Sequence, residues 1–368
     1  MKNLNTTKST IINSTSDFMQ SMENNNDYRF VKKGLTKHGS KLKLGFKCYG
    51  TKIKFILGSI EDKNEKLQVS QYINSFQKNV DNFPPNSFID DWYLDYFRTS
   101  NLRVSLKHTT KEILGATKFR EPYSKKNYLE KSVRAESKQA ISTLYQIGSK
   151  NLKPYLDFPY TEKKITTFLN YQNWQLPWDA GAQFSGLTLF LATQKEEIKK
   201  DQLSYLHNYI SKLASSESGF YYSGFVANQS QLVNGAMKVI SGLEWLEIPI
   251  HYPEKLIDST LNIKPSSEGC DLVDAVYVLY QCSLQTNYKR KEIEVYFLKI
   301  LEIVELHRYP SGGFSYYLDK SQTHYYGIKV SKGLDEPDLH GTTLLIWAVA
   351  MIFNFIQGPN CNLNVLKA

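Results

Sequence analysis

Only four cysteines occur in the 368 residues, Cys48, Cys270, Cys282 and Cys361, far apart and without a Cys-x-x-Cys pair. That scarcity excludes a disulfide framework and a zinc ribbon and makes a reducing cytoplasm the expected setting. Also missing are Gly-x-Ser-x-Gly, the phosphate-cradling Gly-x-x-x-x-Gly-Lys-Ser/Thr, Gly-x-Gly-x-x-Gly and His-Glu-x-x-His. Common serine-hydrolase, nucleotide and zincin chemistries lose their sequence support with them. The first 26 residues are polar and contain no apolar stretch of signal-peptide type, so a disordered leader is expected over 1–27. The longest apolar run, 342–356, is about 15 residues and includes Asn354, short of the ~20 that span a bilayer. It predicts a buried closing helix and no membrane span.

Charge of one sign is in excess only locally. The formal net charge is +9, but residues 1–150 hold 26 Lys/Arg against 14 Asp/Glu while residues 151–368 hold 19 against 22. The N-terminal lysines are scattered through Asn- and Ser-rich sequence and form no Arg-rich stripe. A solvated basic surface is therefore expected, open to a protein partner, and nucleic-acid binding is not.

What the chain has in quantity is aromatic surface, 25 Tyr and 19 Phe, and a helical period from about residue 132 onward. Helices are predicted over 134–147, 160–171, 179–195, 199–215, 231–246, 252–263, 271–285, 290–307 and 338–357, bounded by Pro, Gly or Asn. Gly-aromatic turns at Ser218-Gly219-Phe220-Tyr221 and Gly312-Gly313-Phe314-Ser315, with Gly269 between, recur every 44 to 50 residues, about one helical hairpin each. The helices at 199–215 and 290–307 carry charge on one side, whereas those at 179–195 and 342–356 are apolar most of the way round. Two concentric layers follow from that alternation. Residues 28–130 read as a basic, mixed region with β-leaning patches at 42–58 and 102–106, either a small sheet-containing cap or irregular helices, that caps or extends the ring, and 359–368 as a C-terminal tail.

This layout resembles the α/α toroids of terpenoid cyclases and protein prenyltransferase β subunits, over roughly residues 130–357. Leu272-Val273-Asp274-Ala275-Val276 is similar to the prenyltransferase helix that gives zinc an Asp and, two residues on, a Cys; here Val276 takes the cysteine position. Asp338-Leu339-His340-Gly341 is similar to the helix start that supplies the zinc His. No cofactor is expected, because the family's cysteine position is empty; a zinc set of Cys270, Asp274 and His340 is the alternative, since Cys270 four residues before Asp274 shares its helix face, against Cys270 as a small buried hydrophobe and His340 as a hydrogen-bonding group at the helix end. The Asp-x-Asp-Asp acid of class II cyclases is absent, while Asp90-Asp91-Trp92-Tyr93-Leu94-Asp95 resembles a magnesium-binding aspartate cluster, with a solvated acidic helix start as the competing reading. The (α/α) barrels of polysaccharide lyases, glycoside hydrolases and epimerases share the topology, so a carbohydrate-active enzyme and a non-catalytic binding ring stay open beside a biosynthetic cyclase- or transferase-like enzyme.

Candidate site residues cluster where inner helices begin. Asp271 and Asp274, spaced i, i+3, can face one side and push each other's pKa apart, as acid/base work requires. Asp338 and His340 start the closing helix, and His324 and Tyr325 precede them in a polar, aromatic loop. Trp178, Asp179, Tyr222 and Asn234 are expected to line the same mouth against substrate. Asp274 and His340 lead as catalytic candidates, with Asp271 and Asp338 beside them; capping is the competing role for Asp271 and Asp338. Lys238 is expected to face solvent.

Overall fold

The computed structural model describes residues 2–98, 125–194, 200–226 and 228–368. The patch at 102–106 lies outside them. Thirteen α-helices occur among the described residues. They are α1 (Lys2–Met22), α2 (Leu44–Ile56), α3 (Lys63–Asn74), α4 (Asp91–Arg98), α5 (Lys125–Gln146), α6 (Glu162–Asn170), α7 (Pro177–Gln194), α8 (Lys200–Ser211), α9 (Gln229–Leu246), α10 (Pro253–Leu261), α11 (Gly269–Ser283), α12 (Arg290–Leu306) and α13 (Leu339–Gln357). Three two-stranded antiparallel hairpins accompany them: β1 (Glu23–Asn24) with β2 (Asp27–Tyr28), β3 (Gln77–Lys78) with β4 (Ser87–Phe88), and β5 (His324–Tyr325) with β6 (Ile328–Lys329).

Six helices form a closed circuit. α2 packs on α5, α5 on α7, α7 on α9, α9 on α11, α11 on α13, and α13 returns to α2. Outside them lie α3 against α2 and α5, α10 and α12 against α11, α12 and α1 against α13. The fold is an α/α toroid. Its layers follow the sequence: α12 buries Ile293, Phe297, Ile300, Leu301 and Val304, a one-sided stripe at helical spacing, whereas α13 is buried nearly all round. α13 is long and apolar enough to cross a membrane, but most of it is core here. Each such Leu, Ile or Phe removed from water contributes about 1.5–3 kcal/mol.

Small residues set the closest approach in the ring. An added Cβ at Gly235 would lie 2.8 Å from the Pro177 backbone carbon, so α7 and α9 touch backbone to backbone there, and one at Gly242 would lie 2.7 Å from the Phe184 ring, which packs on the bare α9 backbone. The two Gly-aromatic turns are one structure used twice. Ser215 N bonds Phe220 O and Tyr222 N bonds Leu213 O, as Tyr309 N bonds Gly313 O and Ser315 N bonds His307 O. Gly269 does not belong to the series, because it opens helix α11.

Three further expectations differ from the structure. Lys2–Met22, expected as disordered leader, is a helix whose Ile11, Phe18 and Met22 are buried. The Gly312-Gly313 turn seats it: both glycines have positive φ, and a Cβ at Gly312 would lie 2.0 Å from Ser14 O. Residues 42–58, read as β-leaning, contain ring helix α2, because both its sides are covered by neighbours and packing outweighs local propensity. The toroid therefore begins well before residue 131, in the region expected to cap or extend it. The tail is a strap: Asn364 N bonds Ile56 O, Lys367 N bonds Gln146 Oε1 and Ala368 N bonds Glu244 Oε2, which carries it across the ends of α2, α5 and α9.

Candidate active site

The starts of α11 and α13 meet at one loop. Gly269 N donates to Tyr316 O (3.0 Å), and Tyr316 N donates to Asp338 Oδ2 (2.8 Å). Asp338 also accepts from Gln322 N (3.0 Å) and, as N-cap of α13, from Gly341 N (2.7 Å). Burial raises its pKa to about 6, against the pull of those amides. The residue expected to work beside His340 is thus engaged in holding the loop to the helix. Gly341 lets them touch, since a Cβ there would lie 2.4 Å from Tyr316 N.

His340 is stacked between two tyrosines, Tyr49 of α2 at 4.8 Å and Tyr316 at 5.5 Å between ring centroids. Its Nδ1 is 2.7 Å from Gln322 Oε1. An amide oxygen only accepts, so Nδ1 carries the proton and Nε2 is left as an acceptor. Burial, then the charges of Lys238 and Lys52, pushes the imidazole down to about 3, which keeps it neutral.

Asp274 stands one turn into α11 and is only 2% exposed. Its Oδ2 is buried without a hydrogen-bond partner. Burial raises the carboxyl, Lys238 opposes and Asp271 adds, leaving it at about 7. Asp271 is half-buried and accepts from Asn234 Nδ2 (3.0 Å) and Ser266 Oγ (2.6 Å). Asn234, Asp271 and Ser266 line a pocket of about 380 Å³ between the starts of α9 and α11. Burial and then the Asp274 charge push the neighbouring Cys270 thiol up to about 12.

Three lysines complete the lining. Lys52 of α2, Lys138 of α5 and Lys238 of α9 are half-buried on inner helices, as are Tyr49, Cys270 and His340. Their charges reach one another and cross the ring: Lys238 acts on Asp274, Cys270, His340, Lys52 and Lys138. Groups from α2, α5, α9, α11 and α13 are therefore close enough to act on one another across the inner side of the ring. Lys238 faces inward, contrary to expectation, because the α9 face that carries it also carries Ser241, which bonds Ser185 of α7 (2.7 Å). Part of the N-terminal basic excess likewise points into the ring.

No family model matches the chain, and no curated protein matches it. Among solved structures it is similar to Candida albicans protein geranylgeranyltransferase-I complexed with GGPP. The identity is 13%, the match covers 96% of this chain and 93% of that chain, and the TM-score is 0.49. The toroid itself rests on the closed circuit of helix contacts.

Zinc and magnesium, implied by the resemblance, were tested against the residues present. Among the described residues no three His, Cys, Asp or Glu side chains gather as a metal would need. The Nδ1 bond to Gln322 leaves His340 Nε2 free, but Val276 occupies the position two after Asp274 where the pattern has its cysteine. The set Cys270, Asp274 and His340 does not fit a zinc centre. In the aspartate cluster, Asp90 accepts from Lys43 N (2.7 Å) and Leu44 N (3.2 Å) at the start of α2, while Asp91 pairs with Lys78 (2.7 Å). Those carboxylates serve different neighbours and do not fit magnesium.

Other expected residues lie elsewhere. His324 is exposed on β5 with Nδ1 2.8 Å from Thr323 Oγ1, because strand alternation turns Tyr325 inward instead. Tyr325 is buried and donates to Glu136 of α5, whose carboxyl burial raises to about 8. Trp178 is 36% exposed at the start of α7, Asp179 beside it pairs with Lys131 (3.4 Å), and Tyr222 sits half-buried in the turn after α8. A surface pocket of about 630 Å³ lies outside the ring between α2 and α3. Lys54 there is already matched, 2.8 Å from Glu23 and 3.1 Å from Glu65.

Sequence reasoning missed Lys52, Lys138, Tyr49, Glu136 and Tyr316. Only the apolar spacing of α2 and α5 signalled that these helices had an inner face at all.

Proposed function

We propose that the protein is an enzyme that takes its substrate into the hollow of the toroid and exchanges a proton with it through Asp274, as a biosynthetic enzyme of the terpenoid-cyclase and prenyltransferase kind. The observation that carries this reading is the state of Asp274. A carboxyl poised at about 7, with one oxygen lacking a partner, can give or take a proton near neutral pH without a large driving force against it. Neutral His340 supplies an acceptor nitrogen, and Tyr49 and Tyr316 supply aromatic walls. Their faces attract developing positive charge. Free, mostly buried cysteines fit a cytoplasmic setting.

The test is a thermal-shift screen of isoprenoid diphosphates against acidic oligosaccharides, followed by turnover of the compound that raises Tm. Asp274→Asn should keep the ligand-induced shift and lose about 10²-fold or more in kcat. Wild-type turnover in Asp274→Asn would remove Asp274 from the chemistry.

A further inference from the structure

The cleft of about 630 Å³ outside the ring, walled by α2, α3 and the β1–β2 hairpin, has no part in the acid–base reading. Lys47, Thr51 and Lys54 lie at i, i+4 and i+7 of α2, so one face of that helix forms its floor. At one end Lys54 bridges Glu23 and Glu65. At the other Lys47, only 9% exposed, donates to Asn26 O (2.7 Å) and lies 5.4 Å from the ring centroids of both Tyr28 and Tyr72. Among the described residues Lys47 forms no ion pair with a carboxylate.

Asp27 stands beside Lys47 without meeting it. The Tyr72 hydroxyl donates to Asp27 while the same ring flanks the Lys47 ammonium, and the carbonyl that Lys47 reaches belongs to the residue before Asp27. Burial, then the Lys54 charge, lowers the Lys47 amine, and Asp27 opposes them. One turn along α2, the Thr51 hydroxyl is buried without a hydrogen-bond partner. Buried donors left short of acceptors cost stability that a ligand can restore. Lys47 and Thr51 lack an anionic oxygen, and Asp27 lacks a close cation. A polyanion does not suit the cleft, because Glu23, Asp27 and Glu65 outnumber Lys47 and Lys54 there.

We infer that this cleft binds a free basic α-amino acid, its carboxylate on Lys47 and Thr51 and its ammonium on Asp27. An α-amino acid carries both charges on a single carbon, which suits a lysine and a carboxylate that stand side by side unpaired. Its side chain then runs toward Glu23, Glu65 and the exposed amides of Gln68 and Gln71, where the surplus carboxylate favours a positive group. The site stands apart from Asp274 and from whatever the ring encloses.

The experiment is isothermal titration of the full chain at pH 7 with L-arginine, L-lysine and L-glutamate. The basic amino acid that binds is then compared with its analogues lacking the carboxylate (agmatine or cadaverine) and lacking the α-amine (5-guanidinopentanoate or 6-aminohexanoate). L-Arginine or L-lysine should bind once per chain, with L-glutamate and both analogues weaker by about tenfold or more. Lys47→Met and Asp27→Asn should each weaken binding by a similar factor. Thr51→Val should weaken it about threefold with Tm unchanged, since a methyl replaces a hydroxyl that has no partner. Lys299→Met, exposed on α12, should bind as wild type does. No binding of either basic amino acid overturns the site, as does tightest binding of L-glutamate. An analogue that binds as tightly as its parent also overturns it, because the cleft would then read one charge alone. Undiminished binding in Lys47→Met and Thr51→Val has the same force, and Thr51→Val decides alone if Lys47→Met does not fold.

Discussion

Replacing Asp274 by Asn should change how stability responds to pH, and by an amount the structure sets. The carboxyl has an ordinary value near 4 in the unfolded chain and about 7 when folded, because burial outweighs the attraction of Lys238. Below pH 4 it is protonated in both states and favours neither. Between pH 4 and 7 the unfolded chain ionises it while the folded chain does not, so relative to pH 4 the group destabilises the fold increasingly as pH rises through that window. Three pKa units at about 1.4 kcal/mol each amount to roughly 4 kcal/mol by pH 8. Asn cannot titrate, so the difference in unfolding free energy between Asn and Asp should grow by that amount in favour of Asn from pH 4 to pH 8. Any fixed cost of seating an amide beside the unpartnered Oδ2 position shifts the whole curve and cancels from its slope. Urea denaturation followed by circular dichroism at pH 4, 5, 6, 7 and 8 reads it directly. A difference that stays flat within about 1 kcal/mol would refute the raised carboxyl, and one of opposite slope would mean that Lys238 outweighs burial.

Two other substitutions separate anchoring from chemistry. Asp338→Ala strips the cap from α13 and leaves the buried amides of Gly341, Tyr316 and Gln322 without their acceptor, a loss of about 3 kcal/mol or more; a urea-derived cost under about 1 kcal/mol would contradict its role as anchor. Glu136→Gln substitutes an amide for a carboxyl raised from its ordinary 4.5 to about 8, so the stability of the variant relative to wild type should rise steadily between pH 5 and pH 8 and level off above that. A difference that stays flat across that window in urea denaturation would show that Glu136 is already ionised in the folded chain at neutral pH.

The inner and outer helices from residue 132 onward were legible because their periods are strong and their ends are punctuated, and the approach of Asp271, Asp274 and His340 to one end of the ring followed from their places at helix starts. Helix α1 was hidden by composition. Its Asn, Ser and Thr content reads as disorder, yet Ile11, Thr15, Phe18 and Met22 fall at i, i+4, i+7 and i+11 and are all buried. In α2 the obstacle was glycine: Gly45 and Gly50 weaken a helix on their own, but they are where the Tyr325 and Tyr28 rings press against it. Lys52 and Lys138 gave no local sign, since a lysine on an inner face and one in solvent look alike until ring closure fixes which side is inside. Asp338 was correctly seen as a cap, but its second set of partners, Tyr316 and Gln322, comes from a loop with no period to follow.

The meeting of α2 and α13 bears on how the molecule is made. A growing chain can set α5, α7, α9 and α11 side by side as each emerges, but the first and last staves are about 300 residues apart and cannot join until synthesis has passed Gln357. Until then the greasy flanks of α2 await their cover. The hollow is consequently the last part of the molecule to come into being, and anything that binds there distinguishes a finished, closed chain from every precursor on the way to it.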